Sequence, residues 1–175
     1  MRKLGLVLLL GTVMLSFGSS QTTPDSTLQA QLRKVFPTAT SFSAKQPGPP
    51  PHFVAYTGDA NSRKIVGYVF WTTEVEPLER GYDGPIKMLV GLDTNAKITG
   101  VLVTEHHEPY GYFSVETPEF ARQFVGKDIR DPFKVGADVD AVSRASISIN
   151  SSSRAIRNGS RRVARAFLAP PGSSK

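Results

Sequence analysis

The alternation of apolar and polar residues predicts four β-strands in the middle of the chain. Short runs rich in Val, Ile, Leu and aromatic side chains are bounded by Gly, Asp and Asn, which is typical of strands. We place these strands at residues 53–57, 65–72, 86–92 and 98–104. The short polar turn between the last two predicts an antiparallel hairpin.

Three segments have the spacing of amphipathic helices instead. The first begins after Pro24 and ends at Pro37, and the second begins at Thr117 with a hydroxyl cap followed by Pro. The third, residues 149–168, has one apolar stripe on an otherwise basic helix, which Gly159 should weaken locally. Strands and helices together predict an α+β fold in which an antiparallel sheet packs against helices.

The first 20 residues have the layout of a secretory signal peptide. Arg2 and Lys3 are followed by an apolar run and then by small residues, which predicts cleavage after Ser20. The apolar run is shorter than the roughly 20 residues that span a membrane, although an uncleaved anchor is the alternative. We therefore expect an exported protein, periplasmic or otherwise extracytoplasmic.

The mature chain divides into three predicted parts. Residues 21–52 hold the first helix and a stiff, extended, proline-rich connector, residues 53–168 form the main domain, and residues 169–175 form a flexible tail. The 175-residue length suits one core, and the absence of cysteine excludes disulfides, iron–sulfur clusters, cysteine-ligated zinc and thiol catalysis.

The net charge of +6 is modest, and five arginines of the last helix contribute to it. Such a run is most often a solvated helix face, and we expect no nucleic-acid partner. A further hypothesis is that the protein is a cationic module that binds an anionic polymer, and the basic helix is its only support.

Candidate chemistry concentrates where an extended run ends at Asp140 and the basic helix begins. The first N–H groups of a helix lack partners and the helix dipole is positive there, so this turn attracts anions such as phosphate. The alternative is that Ser143, Ser146 and Ser148 only cap the helix.

The segment Asp140-Ala-Val-Ser-Arg-Ala-Ser146 resembles the flavinylation motif of the FMN-binding domain family. In that family the last hydroxyl of the motif carries FMN through a phosphoester bond. Ser143, Ala145 and Ser146 match the motif, and Asp140 matches the upstream acid that the flavin transferase recognises. Arg144 departs from it, because the family usually has Gly there, and Ser146 stands where Thr is commoner.

A second segment, residues 81–109, is similar to the NosR/NirI branch of the same family in particular, and the whole resemblance spans roughly residues 53–168. The resemblance places the end of this segment beside the isoalloxazine ring of FMN, where it would supply hydrogen-bonding groups and aromatic rings. The residues are His106, His107, Glu108, Tyr110 and Tyr112. The alternative is a polar surface loop. A metal site is disfavoured, because adjacent histidines on a strand point to opposite faces.

The resemblance implies an exported electron carrier, without catalysis of its own, that holds one covalent FMN on Ser146. It also implies a flavin transferase for maturation and a membrane or soluble redox partner, and we expect a monomer. The alternative is a flavin-free sensor or protein-binding domain that kept the fold, and Arg144 is its main argument. No Gly-x-Gly-x-x-Gly or P-loop motif supports dinucleotide or nucleotide binding.

Overall fold

The computed structural model of the protein describes residues 25–59 and 61–168. The predicted signal peptide and the predicted tail lie outside the described residues. Within the described part of the chain, none of the helices has the length and apolar character that a membrane crossing requires.

Among the described residues, five strands form one antiparallel sheet whose spatial order is the order along the chain. They are β1 (Ser41–Phe42), β2 (Phe53–Thr57), β3 (Lys64–Trp71), β4 (Lys87–Asp93) and β5 (Ile98–Glu105). The four predicted strands are thus confirmed to within one residue at each end, as is the β4–β5 hairpin. Strand β1 was not predicted, because two residues are too few to show a period.

In the described part of the chain, four α-helices and one 3₁₀ turn complete the fold, which is α+β as predicted. The helices are α1 (Ser26–Val35), α2 (Thr72–Val75), α3 (Pro118–Arg122) and α4 (Ser146–Phe167), and the 3₁₀ turn is Gly111–Phe113. Asp25 and Thr117 cap α1 and α3 with their side chains, at 2.7 and 3.2 Å. Helix α4 begins three residues earlier than predicted, so Ser146 and Ser148 lie in its first turn rather than before it.

The sheet is covered on both faces. Helix α1 packs on one face, where Leu32 and Val35 are buried against Val69 and Leu89. The other helices cover the opposite face, where the core includes Phe70. Phe70 and Trp71 contribute to the two different cores, as expected for neighbours on a strand.

The proline-rich segment turns back instead of extending as expected. Gln46 and His52 exchange backbone hydrogen bonds of 2.7 and 3.2 Å, so the five residues between them form a closed loop. Residues on either side of this loop belong to β1 and β2, which pair with each other. The loop is therefore a connection between paired strands and not a spacer.

Gly159 has a packing role that its neighbours in the sequence do not indicate. A Cβ atom at this position would lie 2.7 Å from the Phe70 ring, closer than side chains pack. The glycine that was expected to weaken α4 therefore makes room for a large ring of the sheet. Several buried positions of α4 are also small, among them Ser151, Ser152 and Ser160, which lets the helix approach the sheet closely.

Candidate functional site

The first turn of α4 begins without a side-chain cap. Ala145 occupies the cap position, and the first helical hydrogen bond runs from Ile149 N–H to Ala145 O, at 3.0 Å. The hypothesis that the nearby serines only cap the helix is therefore wrong. The preceding N–H groups remain directed out of the helix start, which is the arrangement that binds anions.

The three candidate serines lie in different surroundings. Ser143 and Ser146 are exposed, and Ser146 is the first residue of α4. Ser146 lines a hollow of about 270 Å³ together with Asn150 and Arg154. Ser148 is buried, and its hydroxyl donates a hydrogen bond to Glu108. Of the three, Ser146 alone combines an accessible hydroxyl with a position at the helix start.

Arg144 has a left-handed backbone conformation, with a φ of 67°. Glycine adopts this conformation without the steric cost that a side chain brings, so the geometry explains why the family usually has Gly here. The Arg144 side chain is exposed and lines a hollow of about 160 Å³, separate from that of Ser146. We call this the aromatic hollow; its lining residues are Tyr82, Glu108, Pro109, Tyr110, Arg144 and Ser148.

Glu108 joins the two segments that carried the resemblance. Its carboxylate is 7% exposed and accepts hydrogen bonds from the N–H groups of Tyr82 and Asp83, at 3.1 and 3.0 Å. Gly81 leaves room for it, because a Cβ there would lie 2.7 Å from Glu108 Cδ and the carboxylate would have to shift. Tyr82 was missed as a site residue, although its place directly after Gly81 was a usable signal.

His106 orders the loop after β5. Its Nδ1 accepts from the Glu108 N–H at 3.0 Å, so Nε2 carries the proton and donates to Glu116 Oε1 at 2.8 Å. Both ring nitrogens are therefore engaged within the protein. His107 is exposed beside it, and Tyr110 is 42% exposed at the rim of the aromatic hollow.

Asp138 and Asp140 have different partners. Asp138 folds into its own loop and accepts from Phe133 N–H and Lys127 Nζ, at 3.0 and 3.1 Å. Burial acts to raise the pKa of Asp138, but the hydrogen bonds from Lys134, Lys127 and Phe133 outweigh it and lower that pKa below its ordinary value. Asp140 is exposed, and Gln123 Oε1 accepts a bond from its N–H at 2.7 Å.

Four arginines of α4 donate to partners within the described part of the molecule. Arg154 pairs with Glu79 at 3.1 Å, and Arg162 pairs with Glu76 at 2.9 Å. Arg161 donates to Ile129 O at 2.6 Å. These contacts use the donors that an anionic polymer would need, so they count against the cationic-module hypothesis.

Comparison with known proteins supports the resemblance. Residues 81–161 match the model of the FMN-binding domain family. The chain is also similar to proteins named as the G subunit of the ion-translocating oxidoreductase complex. That of Escherichia coli (strain K12) is 35% identical over 78 residues, 39% of this chain and 38% of the relative. That of Photorhabdus laumondii is 36% identical over 94 residues, 48% of this chain and 43% of the relative.

A third relative of the same name, from Pectobacterium atrosepticum, is 58% identical over 31 residues, 18% of this chain and 15% of the relative. The chain thus spans less than half the length of each of these relatives. The matches do not single out the NosR/NirI branch.

The matched segment includes every residue of the candidate site, from Gly81 through Glu108 to Ser148. The geometry suits a phosphorylated flavin, because an uncapped helix start, an exposed hydroxyl and a hollow rimmed by tyrosines lie in one region. Residues 81–161 therefore match the FMN-binding domain family, and this match indicates FMN as the cofactor.

Proposed function

We propose that this protein is an exported electron carrier with one FMN attached through a phosphoester to Ser146. One observation carries the proposal: the last hydroxyl of the motif is exposed at the first residue of an uncapped helix. The relatives are named as subunits of an ion-translocating oxidoreductase complex, which supports a redox partner in a membrane. Export is inferred from the order of charged, apolar and small residues in positions 1–20.

Attachment is a phosphoryl-group transfer and involves no oxidation. A phosphomonoester is a poor donor, so the donor must hold FMN in a phosphoanhydride, as FAD does. The bond from Ser146 Oγ to the FMN phosphorus forms, the anhydride bond breaks, and AMP leaves. The hydroxyl proton is released, so the protein gains the mass of FMN less one water.

The residues of the site have separate tasks in this proposal. The free N–H groups at the start of α4 hold the phosphate, and the Arg144 guanidinium pairs with its oxygens. Tyr82 and Tyr110 offer flat rings to the isoalloxazine, and His107 offers a donor beside them. Bound FMN supplies the electron-transfer chemistry, while the protein fixes its orientation and tunes its potential.

The surroundings favour Ser146 over the other two hydroxyls. Ser148 is 4% exposed, and its hydroxyl is occupied by Glu108. FMN attached to Ser148 would also bring the negative charge of its phosphodiester beside a buried carboxylate, which is costly at low effective dielectric. Ser143 precedes the helix by three residues and lacks its N–H groups.

The test is the intact mass of the protein coexpressed with a flavin transferase. Wild type should gain one FMN less one water, and Ser146→Ala should be folded, colourless and without this gain. Ser143→Ala is the matched control and should keep the flavin after denaturation. Covalent flavin that persists in Ser146→Ala would move the acceptor to another hydroxyl, with Ser148→Ala in the same background as the check.

The flavin-free alternative has its own outcome in this experiment. Wild type that carries no flavin after coexpression would overturn the electron-carrier proposal in favour of a sensor or protein-binding domain. If Arg144→Gly then restored attachment, Arg144 would be the cause. Attachment to wild type excludes that alternative.

A further inference from the structure

Glu108 is a buried acidic residue that takes no part in the proposed transfer of FMN to Ser146. It is 7% exposed, and no ion pair formed among residues 25–59 and 61–168 includes it. A buried carboxylate is costly unless hydrogen bonds and dipoles compensate it. Its compensation comes from the amides of Tyr82 and Asp83 and from the hydroxyl of Ser148.

The start of α4 lacks the local features that usually stabilise a helix N-terminus. It has no side-chain cap and no acidic residue in its first turn. The residue before the cap position, Arg144, has the unfavourable left-handed conformation. An anion near a helix N-terminus stabilises it, and Glu108 supplies that charge from the loop after β5, 40 residues earlier in the chain.

We propose that Glu108 is a positioning residue that holds the first turn of α4 in place and thereby presents Ser146 for flavin attachment. It acts through Ser148, which lies two residues after Ser146 on the inner side of the same turn. The amides of Tyr82 and Asp83 fix the other side of the carboxylate, and His106 fixes the Glu108 backbone. The inference rests on the proposed function, because it concerns the presentation of the same hydroxyl.

Loss of this contact should lower the fraction of molecules in which Ser146 is correctly placed. The transferase binds productively only the molecules in which Ser146 is correctly placed, so its apparent affinity falls in proportion to their fraction. The KM for the acceptor protein therefore rises, while kcat changes little. We expect Glu108→Ala to raise KM about tenfold or more, in line with the cost of misplacing a reacting group. Glu108→Gln keeps an acceptor for the Asp83 N–H and offers a donor to Ser148, but it places that donor against the Tyr82 N–H and lacks the negative charge, so it should restore KM only in part.

The experiment measures FMN transfer to the purified full chain by a flavin transferase with FAD, over a range of acceptor concentrations. Leu32→Ala is the control, because it destabilises the core on the opposite face of the sheet and leaves the site intact. All variants are compared well below their melting temperatures. A purely structural role would raise KM equally in Leu32→Ala and Glu108→Ala, and that result would overturn the inference.

Hydrogen exchange supplies a readout that does not depend on flavin. The Ile149 amide, which makes the first hydrogen bond of α4, should exchange faster in Glu108→Ala than in wild type or Leu32→Ala, whether or not the flavin is attached. Unchanged exchange there, or a wild-type KM in Glu108→Ala, would overturn this inference alone. Failure of wild type to accept flavin, with accelerated exchange in Glu108→Ala, would overturn the proposed function and leave the positioning role standing.

Discussion

The backbone conformation of Arg144 explains the cost of a non-glycine residue at this position of the flavinylation motif. Its φ of 67° lies in the region that L-residues enter at a cost of roughly 1–2 kcal/mol, and glycine enters freely. The side chain is exposed and does not line the hollow beside Ser146. The departure from the family's usual glycine therefore has a local conformational cost.

The substitution Arg144→Gly should relieve this cost. Glycine also gains entropy in the unfolded chain, which offsets part of the gain, so we expect the free energy of unfolding to be unchanged or higher by up to about 1 kcal/mol. Covalent flavin should be retained, and salt-sensitive contacts to the phosphate should weaken. Chemical denaturation and intact mass measure the two effects.

Arg154→Gly is the matched control for that substitution. Arg154 lies inside α4, where glycine costs about 1 kcal/mol relative to a good helix former. The same change should therefore lower stability at position 154. Equal destabilisation at both positions would contradict the left-handed conformation of Arg144.

Helix α1 docks on the sheet through strand positions that have no side chain. A Cβ at Gly91 would lie 2.5 Å from Val35 O, and one at Gly100 would lie 2.7 Å from Val35 Cα. The hydroxyl of Thr99 donates to the same Val35 carbonyl at 2.6 Å. The end of α1 thus contacts the sheet backbone directly, which makes the helix a part of the core.

Gly100→Ala should displace α1 and destabilise the protein by about 1–3 kcal/mol, the usual cost of overpacking. The measurement is urea denaturation monitored by Trp71, which packs against the same core. Gly48→Ala is the control and should be close to neutral, because nothing lies within 4 Å of a Cβ there. A neutral Gly100→Ala would mean that α1 is held more loosely than the close approach indicates.

The molecule as a whole brings three distant segments to one site. The loop at Gly81, the loop after β5 and the start of α4 meet at the Glu108 carboxylate, on the side of the sheet opposite α1. Under the proposed function, the same molecule must also reach a compartment where a membrane-bound partner can exchange electrons with it. Its proposed export rests on residues 1–20 alone.

The exported protein should begin near Gln21, because the small residues before it suit signal peptidase. N-terminal sequencing of material from the extracytoplasmic fraction checks this. Leu9→Arg places a charge in the apolar run and should leave the chain in the cytosol at full length. Recovery of full-length wild type only in the cytosol would refute the export proposal, and full-length wild type in a membrane fraction would indicate a retained anchor.

Local patterns were sufficient for the strands, for the cap of α3 and for the family resemblance. Alternation located four strands, and the Thr117-Pro pair located the start of α3, because a strand's side-chain period and a cap's hydrogen bond depend on neighbouring residues. The motif ending at Ser146 is likewise contiguous, so the order of residues is enough to show the family resemblance.

Contacts between distant residues needed the tertiary structure. Nothing near Glu108 in the chain indicates that its carboxylate turns inward to Ser148, since that contact depends on how α4 packs against the sheet. The sequence predicted that Gly159 weakens its helix, yet the Phe70 ring packs against it. The composition of the proline-rich segment predicted an extended connector, yet the two ends of the segment pair with each other. In each case the role of a residue depends on a contact with a residue distant in the sequence. The local sequence does not indicate that contact, because it forms only when the whole chain packs together.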